Sequence, residues 1–497
     1  MRNFWESIMN KRVAVIGGGL GGLSGAIYLA RLGYQVDLYE QNQQVGGKMG
    51  EWQSSGFRFD TGPSLLTMPF VIEDLFESSS VDLRDTVLPF IPIEPVCRYF
   101  FPDSSILDTF VDREKMRNAV NAFSPQSAEQ IDQFLNYSKR IYDITHDLFV
   151  THPVHEFSTL FKIKTWTSLL RFWQIDPFRT VHQSTKRFFD DDRLVQLFDR
   201  YATYNGSNPF QAPATLNIIP YVEFGLGSYY VKGGMIKLIH ALEKRAKYLG
   251  VNIHLNRRVE RIEHNDESVQ GLSVNNTFIP YSNILCNADV VDTFTRLVKK
   301  KHKYDKLEPS LSGLVFLWGI DRSFPQLAHH NIFFSDDYEQ EFRQLFNTKT
   351  APLDPTVYVS ITCKSDPSHA PEGNENWFVL VNMPYLTKDQ DWSQIAVQTK
   401  KTILSKLEKY GLAIKNHIVT EKQISPPDYQ THYGSNKGSI YGISSNTPSM
   451  AFRRPANRYK GLKGLYFAGG SAHPGGGIPL TLLSGKMAAE LLHKYSI

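Results

Sequence analysis

"VAVIGGGLGGLSGAIYLARLGYQVDLYE", Val13 to Glu40, is the stretch from which the rest of the chain becomes legible. Val13 to Ile16 is a short, mainly β-branched run of the kind buried in a parallel sheet. Leu23, Ala26, Ile27 and Ala30 follow at helical spacing up to Gly33, and Tyr34 to Glu40 alternates towards a second strand. Gly17, Gly19 and Gly22 therefore sit between a strand and a helix, with an acid about 20 residues further on, which is the context of a dinucleotide fingerprint. The first glycine permits a tight turn, the second lets backbone approach a pyrophosphate at the helix N-terminus, and the third lets helix and strand pack closely. Gly17, Gly18, Gly19, Leu20, Gly21 and Gly22 are expected to form the cradle, and Glu40 to accept hydrogen bonds from the adenosine ribose hydroxyls. The plain alternative for Glu40 is a solvated acid at a strand end.

The chain has 497 residues, 41% hydrophobic and 21% charged, the composition of a globular protein able to bury a large core. A net charge of +4 gives no global reason to expect a nucleic-acid partner. Cys97, Cys286 and Cys363 are odd in number and far apart, so neither a disulfide framework nor a zinc site is expected, and a reducing compartment is favoured. MRNFWESIMNKR carries no apolar core before a cleavage site, so it does not read as a signal peptide, and Met9 could serve as the start. Nowhere do about 18 apolar residues run together, so a membrane would be met from its surface.

Further along, Phe70 to Ile219 is glycine-poor and rich in Leu, Phe and Tyr, and is expected to be mainly helical. Met235, Leu238, Ile239, Leu242, Ala246 and Leu249 mark one helix face that Gly250 stops, and Val251 to Leu255 reads as a strand. Ser282 to Cys286 and Leu465 to Ala468 are further strand candidates, and Leu311 to Ser425 alternates like sheet. The pattern is α/β: a Rossmann-like nucleotide-binding fold assembled from three separated pieces, with other structure inserted between them.

After Glu40 comes "QNQQVGGKMGEWQSSGFRFDTGPSLL". Gly46, Gly47, Lys48, Asp60, Gly62 and Pro63 in this order resemble the signature of the flavin amine oxidase and carotenoid desaturase superfamily. The resemblance implies FAD, with Lys48 near its phosphates or ribose, Gly62 and Pro63 beside the flavin, and the backbone of Val259 in "RRVERI" against adenine. "AGGSAHPGGGIPLTLLSG", Ala468 to Gly485, resembles the C-terminal segment of the phytoene desaturase-like flavoproteins. There a strand, a glycine loop and a helix close over the flavin, which implies site positions at Gly469, Gly470, Gly476, Gly477, Ile478 and Pro479. Pro479 suits a first helical turn, whose positive end would favour the anionic reduced ring. His473 is the candidate base of this loop, with a packing role as its alternative.

The resemblance covers essentially the whole chain. It implies an FAD-binding domain of amine oxidase/GDI type over residues 1–90, 225–300 and 430–497, with an inserted α+β substrate domain. The latter divides into a helical, membrane-facing region at 91–224 and a sheet-containing region at 301–429. "FDTGPSLLTMP", "PQLAHHNIFFSDDY" and "SNKGSIYGI" are similar to the branch of diaponeurosporene desaturases and oxidases, and PQLAHHN is more like the oxidases.

Terminal-methyl oxidation of an acyclic carotenoid to an aldehyde is therefore expected, with desaturation as the alternative and oxygen or a quinone as electron acceptor. A non-catalytic lipid-binding protein on the same fold, like the Rab GDP-dissociation inhibitors, is the reading from a different class. His329 and His330 are adjacent, which on a strand sends them to opposite faces, so no metal is expected. Phe161 to Arg187 interleaves aromatic rings with cations and reads either as a patch for the cytoplasmic face of the cell membrane or as a helical lid.

Overall fold

A computed structural model describes residues 11–77, 88–146, 155–156, 172–447, 450 and 454–496. Arg12–Ile16 (β1), Leu20–Arg31 (α1) and Gln35–Tyr39 (β2) form the βαβ unit, with Glu40 one residue past the second strand. β1 and β2 belong to a five-stranded sheet of order Leu465–Phe467, Asn283–Cys286, β1, β2, Asn252–His254, in which every pair is parallel. Three distant pieces of chain thus meet in one sheet.

The register aligns Ile16 with Tyr39 and Cys286, and Cys286 with Phe467, so the carboxyl ends of four strands lie level. The Gly17 loop, Glu40, Asn287 and Gly469 all leave from that edge, where open α/β sheets bind their ligands. The apolar face predicted around Met235 to Ala246 is buried on helix Ile236–Tyr248, and Gly250 ends that helix with a φ of 82°. The C-terminal helix Ile478–Ser496 packs on α1. Glycine permits that approach: a Cβ on Gly485 would stand 2.4 Å from the Gly21 carbonyl oxygen. Ser24 Oγ adds a hydrogen bond to the Leu482 carbonyl, 2.7 Å.

A seven-stranded sheet has the order Ile418–Ile424, Ser312–Ile320, Glu375–Met383, Val357–Ile361, His330–Phe333, Cys97–Phe100, Ile106–Thr109. All its pairs are antiparallel except His330–Phe333 with Cys97–Phe100. The stretch from Phe70 to Ile219, expected to be mainly helical, is so among its described residues, but it also gives two strands to this sheet. Low glycine content says nothing about period, and Cys97, Tyr99 and Phe100 are buried by strand pairing with distant residues. The same stretch does carry helices, among them Arg113–Phe123 and Ala128–Thr145, around a core of Phe134, Phe189, Phe198 and Tyr201. Residues 161–171 of the predicted membrane patch lie outside the described residues. Of its remainder, Trp173 is 68% and Phe178 82% exposed. No helix among the described residues is long and apolar enough to cross a membrane.

Candidate active site

A cavity of about 690 Å³ opens where the level strand ends meet the seven-stranded sheet. Its floor is the glycine cradle. α1 begins on Gly19 without any side-chain cap, which leaves the positive helix end available to an anionic ligand. Gly17, Gly19 and Leu20 reach the cavity, and Gly18, Gly21 and Gly22 stand behind it. A Cβ on Gly22 would lie 2.0 Å from the Gly17 carbonyl oxygen, so this third glycine serves close turn packing. Gly18 N–H donates to Glu40 Oε2 at 2.8 Å, and Glu40 Oε1 accepts from the backbone and side chain of Asn42. Three donors therefore orient a buried carboxylate at the cavity wall rather than leaving it solvated.

The second glycine turn folds onto the first. Gly46 N–H donates to the Gly18 carbonyl, and a Cβ on Gly47 would stand 3.3 Å from Gly19 Cα. Lys48 enters the cavity and donates from Nζ to the Ile440 carbonyl at 2.7 Å. Burial pushes its ammonium down to about 8, against the pull of Asp289. Gly62, Pro63 and Val259 also line the cavity. Asp60 does not: it accepts from Arg58 Nη2 (2.5 Å), Tyr230 OH (2.5 Å) and Met235 N–H (3.0 Å), and so pins the strand before Gly62 to the helix at Ile236.

The C-terminal segment closes the cavity from a third side. Gly469 lies behind the wall, so near α1 that a Cβ on Gly21 would stand 2.7 Å from its nitrogen. Gly470, His473, Gly476, Gly477, Ile478 and Pro479 line the cavity. His473 packs edge-on against His155, centroids 5.4 Å apart, while its carbonyl accepts from Asn457 Nδ2 and Ser484 Oγ.

Several cavity residues were not legible in the sequence. Arg454 is buried and donates only to neutral oxygens, the carbonyls of Tyr441 and Gly470 and the side-chain oxygen of Asn205. No carboxylate among the described residues pairs with it, and burial pushes its guanidinium down to about 10. Lys48, partly buried, and Arg454, buried, thus bring two cations to the consecutive carbonyls of Ile440 and Tyr441. Arg200 lies over the rings of Tyr201 (4.4 Å), Tyr204 (5.0 Å) and Tyr99 (5.3 Å), with Glu223 at 3.7 Å. A single arginine or tyrosine has no period or motif, so only proximity reveals such a role.

His329 and His330 behave differently from expectation. The strand begins at His330, so the two-residue alternation does not include His329, and the rings touch at 4.4 Å instead of pointing apart. His329 Nδ1 pairs with Ser365 Oγ and His330 Nδ1 with Tyr358 OH. No group of three His, Cys, Asp or Glu that could hold a metal is found among the described residues.

This geometry coincides with a family match, since residues 20–493 fit the model of the flavin containing amine oxidoreductases. The chain belongs to that family. It is an FAD-dependent oxidoreductase on the amine oxidase fold. It is 37% identical over 489 residues to a 1-hydroxycarotenoid 3,4-desaturase from a Flavobacterium species, covering 97% of this chain and 99% of the relative. It is 39% identical to a 4,4'-diapolycopene oxygenase from a Methylomonas species, covering 97% and 98%. A 4,4'-diaponeurosporene oxygenase from Staphylococcus haemolyticus is 36% identical, with 97% of each chain covered. Among solved structures, an oxidoreductase from Methanosarcina mazei superposes with a TM-score of 0.63 at 15% identity, over 96% of this chain and all of that one. At that identity the likeness speaks for the fold alone.

The cavity suits FAD on the chain's own terms. An uncapped helix start and the cations Lys48 and Arg454 suit an anionic group, and the oriented carboxylate of Glu40 lines the same cavity and could accept from ribose hydroxyls.

Proposed function

We propose that this enzyme oxidises the terminal methyl group of an acyclic, diaponeurosporene-like carotenoid to an aldehyde. The observation that carries the reading is the continuity of the glycine cradle with an apolar cavity walled by Met68, Ile219, Val222, Ile332, Phe378 and Leu380. A polyene loses its water on entering such walls, and no metal or nucleophile is needed to bind it. The relatives named as oxygenases of diapolycopene and diaponeurosporene support a substrate of this kind.

Bound FAD supplies the chemistry, acceptance of a hydride from an activated C–H. The chain holds the cofactor through the Gly17 and Gly46 turns, Glu40, Lys48, Gly62, Pro63, Val259 and the segment from Gly469 to Pro479. The apolar walls orient the polyene. Loss of a hydride from the terminal methyl group would leave an allylic cation that water captures as the alcohol with release of a proton. Loss of a second hydride and a proton from the alcohol would give the aldehyde. His473 is the one ionisable side chain of its loop and the candidate acceptor for a proton, with oxygen or a quinone as final electron acceptor.

The 37% identity to a desaturase supports the second reading, hydrogen removal within the chain. Exposed Trp173 and Phe178 support a peripheral seat on the cytoplasmic face of the membrane that dissolves the substrate. Expression in a host that makes diaponeurosporene, with pigments analysed by mass, tests the proposal. An aldehyde is expected, and loss of hydrogens alone would replace this reading with the desaturase.

A further inference from the structure

Among the apolar walls of the cavity one polar line runs inward. Ser64, directly after Gly62 and Pro63, lies 2.6 Å through its Oγ from Tyr358 OH, and both residues line the cavity. Tyr358 OH in turn lies 2.8 Å from His330 Nδ1. His330 is 3% exposed, and its Nε2 has no hydrogen-bond partner among the described residues. The chain therefore starts at the cavity and ends on a buried nitrogen.

All three members are neutral. Burial raises the Tyr358 phenol far above its ordinary value, and burial, with Arg200 adding repulsion, pushes His330 down to about 3. A neutral chain of two hydroxyls and an imidazole has a property that an ionic contact lacks, because its polarity reverses. With Nδ1 as acceptor, Tyr358 donates to His330, Ser64 donates to Tyr358, and Ser64 Oγ is left to accept from a ligand hydroxyl. With Nδ1 as donor, the run turns round and Ser64 donates to a ligand carbonyl. Ser64 and Tyr358 spend one hydrogen bond on each other, so the remaining donor or acceptor of Ser64 Oγ is left for a polar ligand atom in an otherwise apolar cavity.

We propose that Ser64, Tyr358 and His330 form a binding site for the oxygen of a hydroxyl or aldehyde on the end of the apolar substrate. This rests on terminal oxidation as the reaction, where one end group is a hydroxyl before it is a carbonyl. The reversible chain holds both without rearrangement of the protein, whereas a hydrocarbon end offers no polar atom to the cavity side of Ser64 Oγ. Ser64 is thus a specificity residue, with Tyr358 and His330 as the positioning residues behind it.

The test compares FAD-loaded wild type with Ser64→Ala and Tyr358→Phe. The probes are an acyclic diapocarotenoid ending in a primary alcohol and the matching hydrocarbon, with dissociation constants read from the shift of the polyene absorption band. Both variants are expected to bind the alcohol about five- to tenfold more weakly, the effect of one lost hydrogen bond, and the hydrocarbon as before. The flavin spectrum and melting temperature identify a variant that has not folded, and Ser64→Ala is the milder of the two. Equal weakening for both probes, or for neither, overturns the site. Products of the wild type separate this from the reaction itself. Aldehyde formation with no alcohol preference at Ser64 sinks the site alone, and an alcohol preference alongside purely desaturated products sinks terminal oxidation alone.

Discussion

Gly485 on the C-terminal helix and Gly21 on the first helix are in van der Waals contact through backbone alone, leaving no room for a side chain at position 485. The contact joins the last helix to the dinucleotide cradle. Gly485→Ala would place a Cβ 2.4 Å from the Gly21 carbonyl oxygen and 2.7 Å from Gly25 N, so the helices must separate. The expected cost is about 1–3 kcal/mol or more, typical of overpacking a close interface, read as a lower melting temperature together with faster FAD loss. A melting temperature equal to that of the wild type would contradict this contact.

Lys48 is expected to make FAD binding depend on pH. Its folded pKa of about 8 lies below the ordinary lysine value because of burial, so above pH 8 the apoprotein holds it mostly neutral. The unfolded chain then binds more protons than the folded one, and the Lys48 contribution to apoprotein stability becomes less unfavourable as pH rises through 8 towards 10. A diphosphate beside Lys48 would favour the ammonium, so FAD binding is expected to take up a proton in that window and to weaken as pH rises. Calorimetry in buffers of different ionisation heat at pH 9 should show this uptake, and Lys48→Met should abolish it.

Arg454 holds a positive charge with no negative partner among the described residues. A cation of this kind stabilises an anion formed beside it. Sulfite addition to the bound flavin creates such an anion without turnover. Arg454→Met is expected to weaken sulfite binding by about tenfold, and an unchanged sulfite affinity would place Arg454 outside the flavin environment.

Asp60 belongs to the motif but not to the cavity. Asp60→Ala leaves the buried Arg58 guanidinium without its closest carboxylate, so denaturation should show a loss of about 3–5 kcal/mol. FAD affinity at temperatures where the variant is folded should change far less. The reverse pattern, a stable protein that cannot hold FAD, would move Asp60 into the site.

Trp173 and Phe178 should matter only at a lipid surface. Trp173→Ser with Phe178→Ser is expected to reduce sedimentation with anionic phospholipid vesicles severalfold while the flavin spectrum stays unchanged. Unaltered sedimentation would assign membrane contact elsewhere.

The βαβ unit, the helix around Leu238 and the terminal strand and helix were legible because each has its own period and its own punctuation by glycine. Tyr358, Arg200 and Arg454 carry no such signal. The strands at Cys97 and Ile106 were missed for the same reason, since their state depends on partners such as His330–Phe333 far along the chain. His329 shows the limit of local rules most plainly: one residue of strand boundary decides whether two adjacent histidines diverge or touch.

By itself the sequence determined a dinucleotide cradle, the acid that faces it and a second glycine cluster at the far end, because turns and close approaches demand glycine wherever they occur. Only the tertiary structure decided that the two clusters abut, that two cations bind consecutive carbonyls, and that a serine, a tyrosine and a histidine line up from the cavity inward. Several of those relations join residues hundreds of positions apart, and they exist only once packing has spent the chain's entropy to bring them together.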